Sequence, residues 1–193
     1  MNLLTTETNK QEVILTSFHE KTQPKKQVKW KPVSIAEMYV FLALTMLMAH
    51  VKKHTVNDYW ILPHDLTHTP HFSPYMSRDR YKNIMSMLHI TTNTNVRSQD
   101  KLWKVRPIYD MLRRKFAQFF RPFQNLVIDE SLVLFRGRLS FRQYIPAKRH
   151  RWGIKYFVLC DCKTGYVLDF LVYSGKGGIE EDPRMPAFVF LAV

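Results

Sequence analysis

One stretch constrains this chain more than any other: Leu126 to Lys176, LVIDESLVLFRGRLSFRQYIPAKRHRWGIKYFVLCDCKTGYVLDFLVYSGK. It opens as a strand, Leu126 to Leu132, that is apolar except for Asp129, Glu130 and Ser131. A strand expected to bury apolar residues on both faces has little tolerance for an acid at its centre, so Asp129 is the first candidate for a functional group. Adjacent strand residues project to opposite faces, so Glu130 is not expected to work beside it. Next comes an acid-free basic run, Arg136, Arg138, Arg142, Lys148, Arg149, Arg151 and Lys155, interleaved with Phe135, Phe141, Tyr144 and Trp152. Cations beside rings suit a phosphate backbone. From Gly153 to Asp161 and from Tyr166 to Tyr173 the chain is rich in Val, Ile, Tyr, Phe and Leu. Between them, Cys162 to Gly165 supplies a turn with glycine where a positive φ is expected, which predicts an antiparallel hairpin.

Upstream the pattern is helical. Residues 1–33 read as a flexible basic leader, with Lys25, Lys26, Lys29 and Lys31 around Pro24 and Pro32; that reading is preferred to a nuclear-import signal. Ser34 and Glu37 have capping-box spacing and predict a helix to about His50, apolar nearly all round and so expected to be buried on most sides. Ser77 predicts a second helix, with Tyr81, Ile84, Met85 and Leu88 on its buried face. Pro107 opens a third, whose stripe of Ile108, Met111, Leu112, Phe116 and Phe119 is expected in the core, with Arg113, Arg114 and Lys115 outside. His54, His64, His68 and His71 lie among prolines without a cysteine, and are read as loop histidines rather than a zinc site.

Composition supports a folded, nucleic-acid-directed chain. The 193 residues are 46% hydrophobic, enough for a core, and carry a net charge of +13. Nucleic acid is the first partner such a charge suggests and an anionic membrane surface the second. The longest apolar run, Met38 to Ala49, falls short of the roughly 20 residues that span a bilayer. The N-terminus has no secretory pattern, and Cys160 with Cys162 is not expected to form a disulfide or share a metal, which fits a reducing compartment.

Several ordered blocks resemble the piggyBac-type transposase family: IDExxxxFxGR from Ile128, QYIPxKxxxxGIK from Gln143 and CDxxTGYVLDFxVYxGK from Cys160. The likeness continues upstream through DYW at Asp58 to Trp60, MSRDRYxxIxxxLH from Met76 and KLWKVRP from Lys101. The resemblance implies a nuclear cut-and-paste DNA transposase with TTAA target preference. It also implies a ribonuclease-H-like core whose three metal-binding aspartates hold Mg²⁺ or Mn²⁺, the first of them matching Asp129.

The expected fold is α+β: a helical DNA-binding and dimerisation region over 34–122, then the first three strands of an incomplete ribonuclease-H-like sheet over 123–177. Residues 178–193 form an atypical tail, read as following a truncation; its clustered acids Glu180, Glu181 and Asp182 are read as a solvated turn. Asp161 and Asp169 are read as structural acids. Asp129 alone does not complete a two-metal site, so the expected function is a catalytically silent, transposase-derived DNA-binding protein, with at most weak metal contact at Asp129. Association with an intact transposase relative, through the helical half or an unpaired sheet edge, is the alternative.

Overall fold

The computed structural model describes residues 1–19, 30–62, 70–91, 100–146 and 151–175, with side chains from 12 to 19 left aside. The expectations for Lys25, Lys26, Lys29, His64, His68, Lys148, Arg149, Lys176 and the tail with Glu180, Glu181 and Asp182 fall outside these residues. The chain divides into two units, Met1–Asn93 and Thr94–Val193. The division comes well before residue 122 because the third predicted helix packs with the sheet.

The first unit holds helices α1 (Asn2–His19), α2 (Ile35–His50) and α3 (Arg78–Met87), with a 3₁₀ turn at Val56–Trp60. Helix α1 occupies Asn2–His19, within the stretch expected to be a flexible leader. Over residues 1–11, whose side chains are described, the buried positions are mostly polar, Thr5, Glu7, Thr8 and Gln11 beside Leu4, so no apolar period marks this part of the helix. Asn9 holds the approach to α2 by a reciprocal pair: its side-chain amide donates to the Val33 carbonyl at 3.0 Å and its oxygen accepts from the Val33 amide at 2.8 Å.

Helix α2 starts as the capping spacing predicts, with Ser34 Oγ accepting from the Glu37 amide at 3.1 Å. The Glu37 carboxylate is gripped at both oxygens by Arg80 of α3, at 2.7 and 2.8 Å. That grip is the chief reason its carboxyl titrates below the usual range, with the Ser34 amide adding to it. Burial of α2 is one-sided: Met38, Phe41 and Leu44 are inside, while Tyr39 and Met46 are exposed. The expectation of burial on most sides therefore fails.

The DYW and MSRDRY blocks are architectural. Asp58 caps the 3₁₀ turn through Thr55, the Tyr59 hydroxyl donates to the Val51 carbonyl, and the Trp60 indole donates to the Met76 carbonyl. Their rings join Phe41, Phe72 and Tyr81 in one aromatic cluster, with Trp60 edge-on to Phe72. Ser77 caps α3, which buries Tyr81 and Ile84 as expected but leaves Met85 exposed.

The second unit holds α4 (Arg106–Phe119) and strands β1 (Leu126–Leu134), β2 (Gln143–Tyr144), β3 (Trp152–Asp161) and β4 (Val167–Val172). Strand β3 is central and antiparallel to all three others. The three predicted strands are present, and the two-residue β2 adds a short fourth at the end of β3 that has Trp152. At Gly153 the neighbouring strand comes so close that a Cβ would stand 2.4 Å from the Val133 carbonyl oxygen, so only glycine fits. Gly165 in the hairpin turn has φ +71°, the positive value expected there.

Helix α4 is rotated from its expected setting. Tyr109, Arg113 and Phe116 face the sheet, with Arg113 only 4% exposed, whereas Met111 and Leu112 are exposed and Phe119 is 77% exposed. The reason lies on β4. Arg113 makes a two-pronged ion pair with Asp169, 2.6 Å at each oxygen. The Tyr109 hydroxyl donates to the Phe170 carbonyl and accepts from the Val172 amide, while Asp169 accepts from the Phe170 amide. The bond from the Tyr173 amide to the Lys155 carbonyl shows that from Asp169 on, past the register shift at Leu159 and Cys160, the odd-numbered residues bond to β3. The groups met by Tyr109 and Asp169 therefore face outward, and α4 seals that edge. Burial pushes the Tyr109 phenol up, which keeps the proton its donating role needs.

Asp161 is buried at the other end of the hairpin, accepting from the Phe123 amide at 2.9 Å and from the Thr164 amide and hydroxyl at 2.8 and 2.7 Å. Burial alone would raise its pKa; the hydroxyl and amide donors outweigh it and hold the carboxyl low. Asp161 and Asp169 are thus structural acids, as expected.

Both acids bear on stability. Arg113→Met leaves Asp169 unpaired and should cost about 2 kcal/mol, less than the roughly 3–5 kcal/mol of a fully buried pair because Asp169 keeps some contact with water. Urea unfolding should show a lower midpoint with unchanged slope. For Asp161, a folded-state pKa below the unfolded value of about 3.9 means its contribution is complete above that value and is lost as pH falls through the folded-state value. Thermal melts from neutral into acid pH should show Asp161→Asn less stable at neutrality and less sensitive to acid; an acid profile matching the parent would refute this.

Candidate nucleic-acid interface and the Asp129 strand

Strand β1 lies at the side of the sheet away from β4. The Cys162 amide bonds the Asn125 carbonyl and the Phe135 amide bonds the Trp152 carbonyl, so through an unbroken register the odd-numbered residues of β1 bond to β3. The backbone groups of Ile128, Glu130 and Leu132 face outward. The side chains alternate as the pleat requires: Ile128, Glu130 and Leu132 are half-buried, while Val127, Asp129, Ser131 and Val133 are exposed. Strand β1 is therefore not apolar on two buried faces, and Asp129 stands on the open one. The openness is local to β1: across the same face Tyr156 and Phe170 are half-buried and Val172 is buried in the core with Tyr109 of α4.

The Asp129 carboxylate folds onto its own strand, accepting from the outward Glu130 amide at 2.7 Å. Glu130 points the other way and pairs with Lys155 at 2.8 Å. Cys160 lies diagonally across from Asp129; its thiol is pushed up first by burial and then by the Asp129 charge. Among the described residues no three His, Cys, Asp or Glu side chains gather in a way that could hold a metal ion. His54 is exposed and His71 half-buried, each without such company. A Mg²⁺ or Mn²⁺ ion asks for several oxygen ligands, and one carboxylate does not provide them, so the described residues do not fit such an ion.

The basic residues fall into two groups. Arg136, Arg138 and Arg151 are exposed, on the segments that lead out of β1 and into β3. Lys155 and Arg142, also expected as phosphate contacts, are half-buried and make contacts within the fold. The Lys155 ammonium pairs with Glu130 and lies over the rings of Phe157 and Tyr173. The Arg142 guanidinium donates to the Arg136 and Gly137 carbonyls, each at 3.1 Å, and sits 4.3 Å over Trp152. Sequence reasoning does not separate the groups, because backbone carbonyls hold Arg142 and strand alternation alone does not say which cation Glu130 meets. Phe141 is buried in the core, but Tyr144 and Trp152 stay exposed with ring centroids 4.7 Å apart.

The KLWKVRP block helps to close the same unit. Leu102 enters the core with Tyr109, Phe157 and Leu171, and the Lys101 ammonium donates to the Ser174 carbonyl at 2.7 Å. No described helix is long and apolar enough to cross a membrane.

Comparison with known proteins agrees with this architecture. The family model described as Transposase IS4 matches residues 1–187. The human PiggyBac transposable element-derived protein 3 is 31% identical over 141 residues, 73% of this chain and 23% of that protein. The human Chimeric ERCC6-PGBD3 protein shows the same identity over 13% of its length. Among solved structures, the piggyBac transposase in a synaptic complex with hairpin DNA superposes with a TM-score of 0.78 at 25% identity, over 99% of this chain and 39% of that one. The chain thus spans about a quarter or less of these curated relatives and about two-fifths of the solved transposase. By sequence and by α+β fold alike, it belongs to the piggyBac-type, transposase-derived proteins.

Proposed function

We propose that this chain binds DNA without cutting it, as part of a protein descended from a cut-and-paste transposase with TTAA target preference. The observation that carries the reading is the exposed set Arg136, Arg138 and Arg151, clear of any acid in the sequence between them, at one end of the sheet. Three guanidiniums so placed attract a polyanion and suit phosphate oxygens. The net charge of +13 supports the same partner, as does the hairpin DNA in the similar transposase complex. Strand cleavage by this chain is not part of the reading, since the described residues offer Asp129 as a lone carboxylate. The compartment that goes with such a role is the nucleus.

Fluorescence anisotropy against a short duplex, repeated over a range of salt, tests it. Affinity should fall steeply with salt, and changing Arg136, Arg138 and Arg151 together to Gln should flatten the log–log slope by roughly 3, about one unit for each phosphate no longer neutralised. Asp129→Asn should leave affinity equal or slightly higher, because it removes a negative charge near the phosphates. Binding that ignores salt, or no binding at about 50 mM salt, sinks the proposal.

A second reading, association with an intact transposase relative, is favoured by the exposed Met111, Leu112 and Phe119 of α4. Sedimentation with such a relative should show a complex that Phe119→Ser weakens; two separate boundaries at every concentration would exclude it.

A further inference from the structure

The exposed pair Tyr144 and Trp152 is not explained by phosphate binding or by the core. The pair is built rather than incidental. Strand β2 exists only as Gln143 and Tyr144, and its register sets Tyr144 directly across from Trp152 at the end of β3. In the turn just before β2, Phe141 is buried in the core at 7% exposure. The two rings meet at 45°, forming an open V rather than a closed stack, and remain 48% and 44% exposed. The Arg142 guanidinium lies 4.3 Å over the Trp152 ring and is itself held by two backbone carbonyls. Exposed aromatic side chains held this firmly lose little freedom when something flat lies against them.

Their surroundings decide what that is. Arg151 precedes Trp152 in the chain, Arg142 over the indole bonds the Arg136 and Gly137 carbonyls, and no acid occurs in the sequence from Arg136 to Lys155. An apolar peptide would gain nothing from such a run of cations. A nucleic acid strand would use both parts, the phosphates on the arginines and a base on the rings. A paired base inside a duplex offers no free face. We propose that Tyr144 and Trp152 form a stacking platform for an unpaired base of a DNA strand, so that the chain prefers locally opened DNA to a perfect duplex. The proposal rests on the DNA-binding reading above and adds to it a preference for one conformation of the DNA.

The experiment compares three probes by anisotropy on the full chain: a perfect duplex, the same duplex with a short thymine bulge, and the bulged duplex with abasic sites in place of the bulged thymines. The parent chain should bind the thymine bulge about tenfold more tightly than the duplex, the effect of one base stacked on a ring, and the abasic bulge should lose that gain. Tyr144→Leu and Trp152→Leu should abolish the preference for the thymine bulge over the duplex, and Tyr144→Phe should preserve it, since a ring without a hydroxyl still stacks. Equal affinity for all three probes overturns the platform and leaves DNA binding standing. So does an abasic bulge bound as tightly as the thymine bulge, because bending alone would then explain the preference. Failure to bind any probe overturns both readings. The abasic comparison uses the unaltered protein, so a variant that fails to fold does not shelter the proposal.

Discussion

The ion pair between Arg113 and Asp169 governs the second unit. It fixes which side of α4 meets the sheet, and with that side come Tyr109 and Phe116. Tyr109 then satisfies two outward backbone groups of β4 that would otherwise face solvent or another chain. A single charged contact thereby determines a helix rotation, a sealed strand edge and a packed ring. The arrangement depends on bidentate geometry, because a guanidinium can satisfy both carboxylate oxygens at once and a lysine cannot.

How far the sequence discloses this depends on the kind of contact involved. Backbone-driven features are legible: the Ser34 and Ser77 caps, the glycine in the hairpin turn and the alternation that parts Asp129 from Glu130 all follow from local rules. The rotation of α4 is not. An apolar stripe at Ile108, Met111, Leu112, Phe116 and Phe119 outweighs Tyr109 and Arg113, and only Asp169, more than fifty residues away, turns the helix so that of the stripe Phe116 meets the sheet while Met111, Leu112 and Phe119 do not. The first part of helix α1 is hidden for a related reason, since buried threonines and a glutamine carry no hydrophobic period. Of the candidate site, Asp129 stands out by its oddity in an apolar run, although the oddity has another source than burial on two sides: its face of β1 is open.

The basic segment shows why counting cations overstates a binding surface. Two of its members spend their charge on the fold, one on a carboxylate and one on carbonyls and a ring. What remains exposed is smaller and more local, on the segments that lead out of β1 and into β3. The motif blocks shared with piggyBac-type proteins divide in the same way. Most of their polar residues, among them Asp58, Arg80, Asp161 and Asp169, close turns or tie elements together, so they testify to fold more than to chemistry.

Asp129 has its own consequence for how the protein behaves in solution. Its carboxylate occupies the outward Glu130 amide midway along a strand whose other outward groups have no strand beside them among the described residues. Such an edge is a template for a second copy of itself. With Asp129 in place, each of two edges coming together would bring a negative charge and one amide already taken, and the docking would stall at the middle of the strand. An acid whose carboxylate takes up its own strand's outward amide thus makes that edge a poorer template for a second copy.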